Sequence, residues 1–407
     1  MLTKNSRARR AAYPSELRDI MSIDEAERSR TWLSHWEQLN HGPTPLRNLP
    51  ALASSLNIAQ LRVKDESVRS PLGSFKALGA PIALVRLILR IYPERNLDPL
   101  ALIDGKYADL LKDFTVISAT DGNHGRALAA AARSFGCQCV IVLHANVSKE
   151  REDAIAAYGA RIVRIAGNYD ESVEEAARLA AANHWTVVSD TSYEGYQDIP
   201  RDVMQGYGAI AAEVLAQANV SPGQPSPYTH VFLQGGVGGL AAGIASYFWE
   251  YFGENRPKFI VVEPVQADCL YQSALQGRAT TATGSVDSVM AGLACGETSP
   301  LAWRFLESSV DAFMTISDDD AVTAMHLLAG RQGDDIAVVA GESGAAGLAG
   351  LAVLRASEAL SAETDLDASS RVLVINTEGA TAPSVYQELV GESHESVLAR
   401  QAAWLAR

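Results

Sequence analysis

The chain has 407 residues, 47% of them hydrophobic and 20% charged, a balance that fits two or three ordinary folded domains and excludes disorder over most of the length. Lys and Arg number 34 against 48 Asp and Glu, a formal net charge of −14, so nucleic acid is not expected as the main partner. No apolar run reaches the roughly 20 residues needed to cross a bilayer; the longest, 77–92, is broken by Arg86 and Arg90, and no membrane partner is expected.

In chain order, residues 1–45 are polar with scattered apolar positions and read as an arm with a helix over 23–38. Arg7, Arg9 and Arg10 have no hydrophobic stretch behind them, so a secretory signal is not expected. Short apolar runs then predict strands at 61–64, 115–118, 139–143, 161–165, 186–189, 230–233, 259–263, 312–316 and 371–376. Ala-rich stretches of helical period lie between them, among them 127–135, 172–182 and 208–216. Strands alternating with helices mean βαβ units, mostly parallel sheets and the α/β class. The stretch 219–229, with Pro222, Gly223, Pro225 and Pro227, and the acidic stretch 362–370 are predicted loops. The four scattered cysteines, Cys137, Cys139, Cys269 and Cys295, are no disulfide scaffold and suit a reducing cytoplasm. Cys137-Gln138-Cys139 lacks the second pair or nearby His of a zinc set, so no metal is expected.

Three segments carry chemistry. Ser74-Phe75-Lys76 opens a helical stretch after the turn Pro71-Leu72-Gly73. Its lysine reads either as a solvated surface cation or as an amine kept partly neutral for Schiff-base formation with a carbonyl. Ala119-Thr120-Asp121-Gly122-Asn123-His124-Gly125 joins a strand to a helix, the place where an α/β sheet presents ligand groups. Asp121 or Asn123 alone would serve as a helix cap, but five such residues in one turn exceed what capping needs. Gln234-Gly235-Gly236-Val237-Gly238-Gly239 follows the strand at 230–233, where glycine backbone N–H groups and a helix N-terminus can converge on an anion. Gly236-x-Gly238-x-x-Ala241, with Glu263 ending the next strand, also matches a loose dinucleotide fingerprint. A glycine turn used only for tight helix packing is the third reading.

In order and spacing these segments resemble the tryptophan synthase β-like, fold type II group of pyridoxal-phosphate enzymes, over about residues 48–383. The resemblance implies two α/β domains with pyridoxal 5′-phosphate in the cleft between them: a larger one of 1–95 and 205–407, and a smaller one of 96–204. It implies Lys76 as the Schiff-base lysine and Asn123 beside the cofactor's 3′-oxygen. Gly235, Gly236, Val237, Gly238 and Gly239 would hold the phosphate, and Thr377 would meet the ring nitrogen.

Serine and threonine dehydratases typically carry Ser-Ser or Thr-Ser where this chain has Thr120-Asp121. The run 121–125, with Ser189-Asp190-Thr191-Ser192-Tyr193 and the stretch 292–297, is instead similar to diaminopropionate ammonia-lyase. That resemblance implies α,β-elimination of 2,3-diaminopropionate, D and/or L, to pyruvate and two ammonia, in a cytoplasmic homodimer. It implies Asp121 and Asp190 as the acid/base pair. Thr377-Glu378-Gly379 fits the family's C-terminal motif, while 380–383 lacks an acidic residue expected there. A carboxylate at 121 suits a small amino-acid substrate with a cationic β-amine, and carboxylates on opposite faces of a planar cofactor would let one site take both isomers. A serine/threonine dehydratase-like lyase and an NAD-dependent oxidoreductase are the alternatives. Glu342-Ser343-Gly344 is a further candidate lining of the pocket, and His124 an orienting residue.

Overall fold

The computed structural model describes residues 1–120, 122–330 and 333–407. In chain order its strands are β1 (Leu2–Lys4), β2 (Leu46–Asn48), β3 (Gln60–Asp65), β4 (Thr115–Ala119), β5 (Gln138–Leu143), β6 (Arg161–Arg164), β7 (Thr186–Val187), β8 (His230–Gln234), β9 (Lys258–Pro264), β10 (Ala312–Ile316) and β11 (Arg371–Asn376). Among the described residues they form two sheets, ordered β1-β10-β9-β8-β11-β3-β2 and β6-β5-β4-β7. All pairings are parallel except those of the short edge strands β1 and β2.

The apolar runs form strands because both of their faces are covered. In β8, Val231 and Leu233 face one core while Phe232 faces another; in β11, Leu373 and Ile375 alternate in the same way with Val372 and Val374. β4 and β5 repeat the pattern, with Val116, Ile141 and Leu143 on one side and Ile117, Val140 and Val142 on the other. One core therefore runs continuously from the inner face of the smaller sheet to that of the larger. The helix Asp198–Gln217, buried along most of its length, lies in this shared core against the helices Ile23–Leu33, Ala80–Ile91 and Gly239–Phe252.

The N-terminal arm is not free: Leu2 pairs with Met314 and Lys4 with Ala312, which makes β1 an edge strand too short to leave a periodic signal. The helix expected over 23–38 is capped by Ser22 and stops at Leu33. Within the predicted loop 362–370, the helix Glu358–Thr364 continues to Thr364, because Ser357 caps a short run of helix formers that ends at Asp365 in the left-handed region. The loop before β8 is present as expected.

Strand order places the site. β8, β9 and β10 proceed to one side while β11 lies on the other side of β8, so the order reverses between β8 and β11. In the smaller sheet it reverses between β4 and β7. Ligands bind outside the carboxyl ends of strands at such reversals, where the outgoing connections separate and leave a crevice. The segments that leave these four strands lead to the glycine loop, the Thr377 turn, Asn123 at the start of its helix, and Asp190.

Candidate active site

Lys76 lies in a short 3-10 turn, Phe75–Leu78, and not in a regular helix. The turn is fastened to the segment leaving β11: Gly379 N donates to Gly73 O at 3.0 Å and Phe75 N donates to Thr377 O at 3.0 Å. Lys76 Nζ donates to Asp190 Oδ2 at 2.5 Å, and each side chain keeps 19% of its surface exposed. Burial alone would push the Lys76 ammonium to lose its proton, but Asp190 and Tyr207 outweigh it and hold the pKa above the ordinary lysine range. Burial likewise disfavours charge on Asp190, yet Lys76 and His124 keep the carboxyl well below the usual carboxylate range. His124 Nε2 meets the Val188 carbonyl at 2.9 Å, so that nitrogen carries hydrogen and Nδ1 faces Asp190 Oδ2 at 3.9 Å.

Asn123 opens the helix Asn123–Phe135, and its Nδ2 donates to Glu378 Oε2 at 2.5 Å. Glu378 Oε1 accepts from Ser343 N at 3.3 Å. Beside it the buried Glu342 accepts from Arg151 Nη2 at 3.2 Å, an ion pair that reaches from the helix Lys149–Ala156 of the smaller sheet's unit. Burial and the neighbouring Glu378 push the Glu342 carboxyl up to about 7, against the opposing pull of Arg151.

After β8 the chain turns through Gly236 at φ 64° and Gly238 at φ 101° into the helix Gly239–Phe252, which has no side-chain cap. Among the described residues no protein acceptor meets the N–H groups of Gly236, Val237, Gly239 or Leu240. Four unpaired donors at the N-terminus of a 14-residue helix form a cradle for an anion.

A partly buried lysine, an anion cradle and an amide side chain thus meet between the two sheets, as in enzymes that hold a phosphorylated aldehyde. The family model for pyridoxal-phosphate dependent enzymes matches residues 37–378. The diaminopropionate ammonia-lyase of Salmonella typhimurium is 38% identical over 88% of this chain and 90% of its own length. That of Escherichia coli is 36% identical over 95% of this chain and 96% of its own. The chain belongs to the diaminopropionate ammonia-lyase family. The crystal structure of the Escherichia coli diaminopropionate ammonia lyase in complex with an aminoacrylate–PLP azomethine reaction intermediate matches it with a TM-score of 0.84 at 35% identity, covering 96% of each chain.

The cofactor of this family is pyridoxal 5′-phosphate, and the site fits it: the cradle matches a phosphate and the Lys76 amine an aldehyde. Lys76, Asn123, Asp190 and the loop 235–239 are brought together, and Thr377, 3% exposed, lies beside them through its bond to Phe75. Asp121 lies outside the described residues. The NAD-dependent alternative is not favoured. Glu263, which a dinucleotide would need free for its ribose, is fully buried and accepts from Leu270 N at 3.0 Å and Tyr271 N at 2.7 Å. It serves the helix Cys269–Gln276 instead, and a Cβ on Gly235 would stand 2.5 Å from its Cγ. Sequence reasoning did not single out Arg151, whose part depends on a contact 191 residues away.

Two expected results follow from this geometry. Gly238→Ala puts a side chain in the left-handed region and 2.9 Å from Leu306 Cδ1, at a cost of about 1–3 kcal/mol. Thermal melting should show that loss, and titration with pyridoxal phosphate should show weakened binding; a variant that melts and binds like the parent contradicts the cradle. Glu342 has a folded pKa above its unfolded value, so its contribution to stability is complete below about 4.5 and is lost as pH rises through about 7. Glu342→Gln should therefore gain on the parent as pH rises from about 4.5 through about 7, by on the order of 2 kcal/mol in urea unfolding. A difference that stays constant with pH refutes the raised carboxyl.

Proposed function

We propose that the chain eliminates ammonia from 2,3-diaminopropionate to give pyruvate and a second ammonia, with Lys76 as the cofactor's lysine and Asp121 and Asp190 as the acid/base pair. The observation that carries this reading is the 2.5 Å contact of Lys76 with Asp190 beside the anion cradle. When bound, the cofactor draws electron density from the substrate's Cα, which acidifies its proton and lets the β-amine leave. The chain's own groups set where that happens. The N–H groups of 236, 237, 239 and 240, which meet no protein acceptor among the described residues, would hold the phosphate, and Asn123, whose amide donates to Glu378, would lie beside the 3′-oxygen. Thr377, by its position in the motif, would meet the ring nitrogen, and a hydroxyl there would leave that nitrogen less protonated than a carboxylate would, which favours elimination over longer-lived carbanion chemistry.

Asp190 Oδ2 accepts from Lys76 Nζ and would exchange a proton at Cα when the lysine is engaged elsewhere. Asp121 pairs with the β-ammonium and exchanges a proton from the other face, so that both isomers are substrates. Four cysteines without a disulfide among the described residues support a reducing cytoplasm, and no helix among those residues is long and apolar enough to cross a membrane. We assign residues 1–95 and 205–407 to a larger domain and 96–204 to a smaller one, supported by the smaller sheet's place at 115–187, and a homodimer as the working assembly.

The purified protein should be yellow, and borohydride should bleach its absorbance band and fix the cofactor to the peptide carrying Lys76. A colourless protein that binds NADH, or a fixed peptide from elsewhere, rejects this reading.

A further inference from the structure

Tyr207 is 2% exposed, and its hydroxyl, buried, makes no hydrogen bond of normal geometry among the described residues. Its ring is wedged between the lysine segment and the anion loop. It packs on Phe75 with centroids 4.7 Å apart, and Lys76 Nζ stands 6.0 Å from its centroid. A Cβ on Gly79 would lie 2.7 Å from its Cε1 and 2.9 Å from its Cζ, and one on Gly239 3.9 Å from its Cε2. Next to Tyr207 on the same helix, a Cβ on Gly206 would run into the Leu78 carbonyl. Glycines at 79 and 206 thus let the lysine segment and the helix Asp198–Gln217 approach until the phenol reaches Lys76.

Lys76 bears on the hydroxyl oxygen, but among the described residues no acceptor meets the hydroxyl hydrogen at normal hydrogen-bond geometry. A buried donor without an acceptor lowers stability, and phenylalanine would fill the same space without that cost. Its presence calls for a state in which the hydroxyl has an acceptor. Burial pushes the phenol above its ordinary range, with the charges of Lys76 and Asp190 acting on it in opposite senses, so it remains a donor at working pH. Lys76 as an ammonium donates to Asp190 and offers no lone pair. A neutral Lys76 amine offers one, and the ionised Asp190 has no hydrogen to give it.

We propose that Tyr207 is a positioning residue for Lys76: its hydroxyl donates to the neutral amine and keeps that nitrogen in place while substrate occupies the cofactor. This rests on Lys76 being the cofactor's lysine, as proposed above. Tyr207→Phe in the full chain removes only the oxygen. With substrate, kcat should fall at least about 10-fold while KM stays within about two-fold, the loss of one hydrogen bond to the reacting nitrogen. In the cofactor-free chain, uptake of added pyridoxal phosphate, followed by absorbance, should slow several-fold. The melting temperature of that chain should stay equal or rise.

Unchanged kcat and uptake overturn the proposal, and so does a lowered melting temperature with unchanged kcat, which makes the hydroxyl structural. Borohydride fixation of the parent separates the two failures. A fixed peptide without Lys76 sinks the functional reading itself, whereas fixation at Lys76 with an unaffected Tyr207→Phe sinks this inference alone.

Discussion

Lys76→Ala is expected to lower turnover of 2,3-diaminopropionate by at least about 10³-fold, since on the proposed reading it removes the nucleophile that every cycle uses and restores. The yellow absorbance fixed by borohydride should vanish with it, although phosphate binding at 235–239 should persist, because the cradle is made of backbone. The same variant strands Asp190, with the His124 Nδ1 left 3.9 Å from its Oδ2. Removing one member of a partly buried pair is expected to cost about 2 kcal/mol in the cofactor-free chain. The sign with pH follows from Asp190. Its folded pKa is depressed, so the pair stabilises the fold above the ordinary carboxylate range and loses that contribution as pH falls through and below it. The gap between parent and Lys76→Ala in urea unfolding should accordingly narrow toward low pH. A gap that widens there contradicts the ion pair as the source.

The second large effect lies in stereochemistry. Asp190→Asn retains the shape of the side chain but removes its charge and basicity, and turnover of one isomer is expected to fall by about 10²-fold or more. Asp121→Asn should do the same to the other isomer, with cofactor absorbance preserved in both variants. Lys76 keeps a hydrogen-bond acceptor in the Asp190 variant, so a loss confined to one isomer reports proton transfer and not collapse of the lysine turn. Steady-state rates of both variants on D- and L-2,3-diaminopropionate decide the matter. Equal losses on both isomers reject the assignment of one carboxylate to each face.

Much of this site is written locally in the chain. β4, β5, β8, β9, β10 and β11 are runs buried on both faces, so their apolar content alone marks them, and the candidate site residues lie in polar turns that follow such strands. β1 and β2 are three-residue edge strands whose pairing is decided by their neighbours. The glycine loop shows the limit of a local motif: its spacing also matches a dinucleotide fingerprint, and only the burial of Glu263 against Leu270 N and Tyr271 N excludes that use. Glu342 is legible as a polar residue in a glycine-rich turn, whereas its partner Arg151 is not. Tyr207 reads as one more apolar position of a buried helix, and its importance rests on the missing acceptor for its hydroxyl hydrogen. Such features depend on what the fold brings alongside, which no spacing in the sequence encodes.

The preference for an ammonium over a hydroxyl leaving group is the central claim, and competition between substrates tests it most directly. In a site closed to water, a carboxylate facing an ammonium makes a charge-assisted bond, while one facing serine makes a neutral one. A difference on the order of 1.5–3 kcal/mol corresponds to roughly 10- to 10²-fold. Pyruvate formation by the holoenzyme should therefore show kcat/KM for 2,3-diaminopropionate exceeding that for serine by at least about 10-fold. Serine dehydration that equals or outruns diaminopropionate cleavage would contradict the account.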